Sequence, residues 1–340
     1  MHGIPRHLRR AHEATFYFHD RIVEAMKEID SFGPRTFAFT ANASLPASDL
    51  MGMDAITLAR VCGQGEKARQ LLLGECVLAL TADALHYICE SLFSYEKGKL
   101  SVSLSLMRKP LKENLLMLEW ILADDADFFD AFSSPDRKRL NIDTISPERR
   151  KEIITRAIKK IDGPAFEDAD VLYDVRYNKG ANGLEPLWQK AQHLTTTKHA
   201  NVLTEIENFN FIFATPENVR GIYESISPLY LSLAIHFYDV AGRALQRTYP
   251  RHRGAHDFDQ MCKAAALALA TKNYGGLRRA FGEAMQVCKE ELRCTCGATP
   301  EITPTTFARA LFSGDFYCSG CGESGTIDLF EAMGLAKQAS

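Results

Sequence analysis

Four cysteines between residues 294 and 321 constrain this chain more than any other feature. They stand as two short-spaced pairs, Cys294 and Cys296 in "CTCG" and Cys318 and Cys321 in "CSGCG", giving C-x-C-x21-C-x-x-C. A close cysteine pair in a glycine-containing turn lets the backbone curl so that two thiolates converge on one ion. Four thiolates closing a tetrahedron select Zn²⁺, and iron in a rubredoxin-like site uses the same ligands. Such a site leaves no coordination position for water or substrate, so the ion is expected to be structural. The intervening "EITPTTFARALFSGDFY" contains β-compatible stretches around Ser313–Gly314–Asp315, and a hairpin there is expected to fold the pairs together.

The remaining five cysteines, Cys62, Cys76, Cys89, Cys262 and Cys288, lie in apolar, helix-like surroundings and read as small buried hydrophobes. A free-thiol chain of this kind belongs in a reducing compartment, and the expected location is cytoplasmic. The longest apolar stretch, "LLLGECVLALTADALHYI", is broken by Glu75, Asp83 and His86, which suits a buried helix better than a membrane span. Forty Lys and Arg against 43 Asp and Glu give a formal charge of −3, so any polyanion site must be a local patch. The strongest basic faces are "ERRKEIITRAIKK" and "GLRRAFGEAM".

Upstream of the cysteine pairs the hydrophobic period is helical. Leu104, Met107, Leu111, Leu115, Leu118 and Leu122 form one apolar stripe, in which Pro110 predicts a kink or a fresh helix start. Residues 64–97 and 217–248 read as long helices, the second despite Pro228, with two more near 256–272 and 275–292. Ser146 before Pro147 is a helix-start signal, a side-chain cap followed by a residue whose missing N–H is not needed. The expected fold class is mainly α, a multi-helix N-terminal region with a small C-terminal β zinc ribbon. The expected domains are 1–140, 141–292 and 293–340.

The segment "FYCSGCGESGTIDLF", residues 316–330, resembles the second knuckle of the zinc ribbon in bacterial-type DNA primases, where an aromatic strand runs into Cys-x-x-Cys-Gly. The first knuckle departs from that pattern, since "CTCG" lacks its Cys…His arrangement, and no primase catalytic region stands upstream. The resemblance therefore implies the ribbon fold alone. A ribbon hairpin can meet nucleic acid, and this one carries Arg293 and Arg309 alongside Glu301, Asp315, Glu323 and Asp328.

A second resemblance is to helical ribonucleases of the HEPN superfamily, whose arginine binds phosphate and whose histidine, a few residues on, moves a proton at the 2′-hydroxyl. Arg251 and His256 in "RHRGAH" fit that spacing in a segment that Pro250 marks as a loop. Arg6 with His12 and Arg247 with His252 also fit. "SLMRKPLKENLLMLEWIL" with the later "LTTTKHAN" is similar to uncharacterised bacterial helical proteins of that superfamily. There Lys109 stands for an arginine before Glu113, Arg108 is one residue off, and Thr196 and His199 supply the later element. Lys109 and Glu113 equally read as a surface i,i+4 pair. Asp83, His86 and Glu90 on one helix, with His236 and Asp239 on another, have the residue types of a di-metal bundle site or of solvated ion pairs.

These readings converge on a zinc-ribbon helical protein that binds or regulates, with nucleic acid as the favoured partner and no membrane role. The competing readings are a metal-independent ribonuclease using Arg251 and His256, and a structural protein that self-assembles as a homo-oligomer through its ribbon.

Overall fold

The computed structural model describes residues 3–31, 52–180, 183–197, 203–212, 214–249 and 253–326. The protein is mainly α-helical, and among the described residues its one sheet is a two-stranded antiparallel hairpin. The helices are α1 (Arg9–Ser31), α2 (Ala55–Val61), α3 (Gly65–Glu96), α4 (Leu100–Lys109), α5 (Leu115–Ala123), α6 (Asp125–Phe132), α7 (Pro147–Ile158), α8 (Ala169–Tyr177), α9 (Glu185–Gln192), α10 (Pro216–Thr248), α11 (Arg253–Thr271), α12 (Gly275–Glu291) and α13 (Pro304–Ser313). The strands β1 (Asp315–Tyr317) and β2 (Ser324–Thr326) pair with Phe316 opposite Gly325.

The chain forms two compact units that are not consecutive in sequence. The first comprises residues 1–3, 22–221 and 232–250, and the second residues 4–21, 222–231 and 251–340. Residues 140–146 lie inside the first unit, and the cysteine pairs share the second with α11 and α12.

In the first unit α3 packs along α4, and α5 packs against α7. The apolar stripe is buried throughout, from Leu104 to Leu122. α3 is long and apolar enough to cross a membrane by length and composition. Its Leu73, Val77, Leu85, Ile88, Leu92 and Tyr95 are buried in the unit. Ser146 caps α7 by accepting from the Arg149 amide, as the Ser-Pro signal predicts. α10 runs through Pro228 without ending.

Pro110 neither ends the helix nor starts a new one. Residues Pro110–Asn114 form a π-helical turn between α4 and α5. The missing proline N–H breaks the i→i−4 ladder, and the wider turn frees carbonyls for side-chain donors. Two residues at the end of α8 take them: Arg176 Nε donates to the Leu111 carbonyl at 2.7 Å and Tyr177 Oη to the Lys112 carbonyl at 2.8 Å.

The second unit is built on an apolar cluster including Met261, Cys262 and Ala265 of α11, Met285 and Cys288 of α12, and Phe307 and Leu311 of α13. Tyr17 of α1 stacks on Phe312 at 4.5 Å between ring centroids and donates to the Leu311 carbonyl at 3.0 Å. The expected hairpin around Ser313–Gly314–Asp315 is corrected here, because residues 304–313 are helical. A Thr303/Thr306 capping box and Pro304 in the first turn start α13, and Gly314 caps its end with an amide bond to the Ala310 carbonyl. The hairpin instead lies one step later, with the second cysteine pair at its tip.

Candidate functional site

Each cysteine pair sits in a tight knuckle. In the first, the Gly297 amide donates to the Cys294 carbonyl at 2.8 Å and the Cys294 amide to the Ala298 carbonyl at 2.9 Å. In the second, the Gly322 amide donates to the Cys318 carbonyl and the Cys318 amide to the Glu323 carbonyl, both at 2.9 Å. Gly297 and Gly322 hold φ of 86° and 78°, the left-handed conformation that glycine adopts without strain. A Cβ at Gly320 would lie 2.8 Å from the Ala298 Cβ, so a larger residue there would drive the knuckles apart.

The four sulfurs all lie within 4.8 Å of one another, and these are the residues among those described that cluster as metal ligands. Cys294 and Cys321 are 3.5 Å apart and Cys296 and Cys318 are 3.8 Å apart. A tetrahedron with Zn–S bonds of about 2.3 Å has S···S edges of about 3.8 Å, so the donor set fits a tetrahedral thiolate-bound ion. The Cys296 amide and the neighbouring sulfurs hold the Cys294 thiol down at about 6. At Cys321 the Glu323 amide pulls the same way, but the other three sulfurs override it and push the thiol up to about 12. Four such sulfurs can all ionise only with a cation between them, whose binding releases the protons.

A buried charged network lies in the first unit; of its members the sequence pointed to His236, but not to Glu119 or Arg176. Glu119 of α5 is fully buried, and both its oxygens accept from Arg176 Nη1 at 2.7 Å. His236 Nε2 of α10 lies 2.8 Å from Glu119 Oε1 and donates to it, since the carboxylate only accepts, while Nδ1 has no partner among the described residues. Burial alone would raise the Glu119 carboxyl, but the Arg176 guanidinium and the His236 bond hold it below the usual range. Nearby, Lys112 of the π turn and Glu185 of α9 form a buried ion pair at 2.7 Å. A charge inside the apolar run "LLMLEWILA" was the available signal for Glu119.

The other candidates are dispersed. Asp83 does not join His236 and Asp239 in a metal group, because Lys109 Nζ at 2.8 Å and Asn114 Nδ2 at 2.7 Å take its carboxylate. Lys109 therefore serves Asp83, and Arg108 is the residue that pairs with Glu113, at 3.0 Å. Thr196 is buried, with its amide donating to Thr204 Oγ1 at 2.7 Å. His199, Arg251 and His252 lie outside the described residues. His256 is not in a loop but in the first turn of α11, half-buried.

Most of the basic face of α7 is paired internally. Arg149 pairs with Asp127 and Glu152, Arg156 with Asp124, and Lys151 with Asp170, while Arg150 and Lys160 donate to backbone carbonyls. No family model, curated protein or solved structure matches this chain.

Proposed function

We propose that the chain is a zinc-stapled helical binding protein whose favoured partner is single-stranded nucleic acid, met at the ribbon. The observation that carries the reading is the four-sulfur cluster. Its ligands are all protein thiols at tetrahedral separations, so the zinc holds two knuckles together and takes no part in chemistry. The ribbon then presents a surface. Tyr317 on β1 is 67% exposed, a free aromatic face of the sort on which bases stack. Arg293 and Arg309 are exposed in the same unit, and neither has an ion-pair partner among the described residues. The ribbon thus supplies two exposed cations and an exposed aromatic face.

The test is fluorescence anisotropy of the zinc-loaded full chain with a labelled 20-nucleotide single-stranded RNA across a salt series. Tyr317→Ala is expected to weaken binding by about 1–3 kcal/mol, the usual worth of one base–aromatic stack. Arg309→Ala is expected to lower the salt dependence by about one unit of slope. RNA that fails to bind, or binds equally to both variants, removes this reading.

A second reading, self-association, is favoured by one observation. In the loop between α9 and α10, Ile206 is 94% exposed, Leu194 63% and Ile212 57%. Clustered large apolar residues in water mark interaction surfaces. Sedimentation of the wild type at rising concentration is expected to show a dimer that Ile206→Asp abolishes. A monomer at every concentration refutes it.

A further inference from the structure

The first unit contains a cavity of about 580 Å³ beside the π turn, within the size range of small-molecule sites. We propose that it binds a phosphate-bearing small molecule of nucleotide size. The cavity lies in a different unit from the cysteines, and the proposal is independent of the ribbon reading.

The charged side chains lining the cavity are Arg108, Lys112, Arg150 and Lys179 against Asp143 and Glu185, four cations to two carboxylates. Two of the cations are already matched. Lys112 and Glu185 pair at 2.7 Å with side chains only 8% and 6% exposed, and Arg108 bonds to Glu113 at 3.0 Å. Arg150 and Lys179 have no ion-pair partner among the described residues. Arg150 is held in place without being neutralised: its guanidinium lies over the Tyr177 ring at 5.0 Å and donates to the Ile142 carbonyl at 2.6 Å.

Beside these cations stand the hydroxyls of Thr195 and Thr197. Arg150 and Lys179 outnumber Asp143, the lining carboxylate with no ion-pair partner among the described residues, so the cavity stays net positive and, with its hydroxyl donors, suits an anion such as a phosphate monoester. Its oxygens accept from a guanidinium fork as well as from hydroxyls. Asp143 and Gln189 supply an acceptor and a donor for the hydroxyls of the rest of such a molecule.

The walls are preformed. Arg176 and Tyr177 tie down the π turn that carries Lys112. The wall at 193–197 is fastened by Asn210, whose Nδ2 donates to the His193 carbonyl and whose amide donates to the Leu194 carbonyl, both at 2.8 Å. Preformed walls spare the ligand the cost of ordering them. π-helical turns are frequent at functional sites, and this one borders the cavity.

The experiment is isothermal titration of the full zinc-loaded protein at low salt with AMP, adenosine and inorganic pyrophosphate. AMP and pyrophosphate are expected to bind and adenosine to stay silent. Lys179→Glu alters an exposed side chain, and Arg150→Met removes the charge while keeping a side chain of similar length. Each is expected to weaken AMP binding by about tenfold, as loss of a hydrogen bond to a charged group does, with circular dichroism and zinc content unchanged. The Tyr317→Ala ribbon variant is expected to bind AMP like wild type. Silence with both AMP and pyrophosphate at millimolar concentration overturns the proposal, as does AMP binding unaffected by both variants, or adenosine binding as tightly as AMP. A 5′-phosphorylated RNA strand that binds far more tightly than AMP, and loses that binding in the Lys179 and Arg150 variants, also overturns it in favour of a strand end.

Discussion

Cys318→Ser is expected to reduce bound zinc from about one equivalent per chain to below about a tenth, and to unfold the knuckle region without unfolding the helices. Cys318 is the buried member of the four, its sulfur 3.8 Å from that of Cys296. Serine cannot supply a thiolate, and three remaining ligands leave the tetrahedron open. Structural zinc contributes about 10–16 kcal/mol to small metal-dependent folds, so the two knuckles should separate once it is lost. Their own contacts are few: a three-residue hairpin and exposed loops around Cys296 and Cys321. The helical part of the second unit should survive, because Met261, Cys262, Met285 and Cys288 form an apolar cluster that does not include the metal. Limited proteolysis should therefore cut near 294–326 in the variant and in chelator-treated wild type, while far-ultraviolet circular dichroism changes little. A Cys318→Ser protein that retains a full equivalent of zinc, or resists protease as wild type does, would refute a four-sulfur site.

What the sequence disclosed was local, and what it withheld was assembled over distance. The cysteine pairs were readable because chelation imposes spacing on neighbouring residues, and both knuckle glycines stand beside the sulfurs they serve. The Ser146–Pro147 start and the long α3 were readable for the same reason, since caps and apolar period are written within a turn or two. The start of α13 carries the same kind of signal in Thr303–Pro304, in a segment whose expected hairpin around Ser313–Gly314–Asp315 the structure replaces with a helix. At Pro110 the break was legible and its form was not, because a π turn needs donors for its freed carbonyls and those donors lie 65 positions away. The cavity was invisible for a like reason: its walls come from separate stretches near 108–112, 143–150, 177–179 and 185–197, which only the fold brings together.

Glu119 shows the limit most sharply, and its partnership with Arg176 carries the second large effect. Arg176→Met is expected to destabilise the first unit by about 3–5 kcal/mol, because it strands a fully buried carboxylate with His236 as its remaining partner. It also removes the donor to the Leu111 carbonyl in the π turn. Trp120 and Trp188 are buried in this unit and are the two tryptophans of the chain, so urea unfolding followed by their fluorescence reports on it directly. Adding Glu119→Gln to Arg176→Met should restore at least half of the loss, since no stranded carboxylate remains at this position and the amide oxygen still accepts from His236 Nε2. The pH dependence follows from the direction of the Glu119 shift. Its carboxyl is held below the usual range in the folded protein, so the stability it contributes is present above the unfolded value of about 4.3 and is lost as pH falls through the folded value. In Arg176→Met the guanidinium is gone and burial pushes the same carboxyl upward, so acid relieves the variant while it weakens the wild type. The gap in unfolding free energy between the two proteins should therefore narrow between pH 6 and pH 3.5. A gap below about 1 kcal/mol at pH 7, or one that stays constant across that range, would show that the buried pair does not hold this unit together.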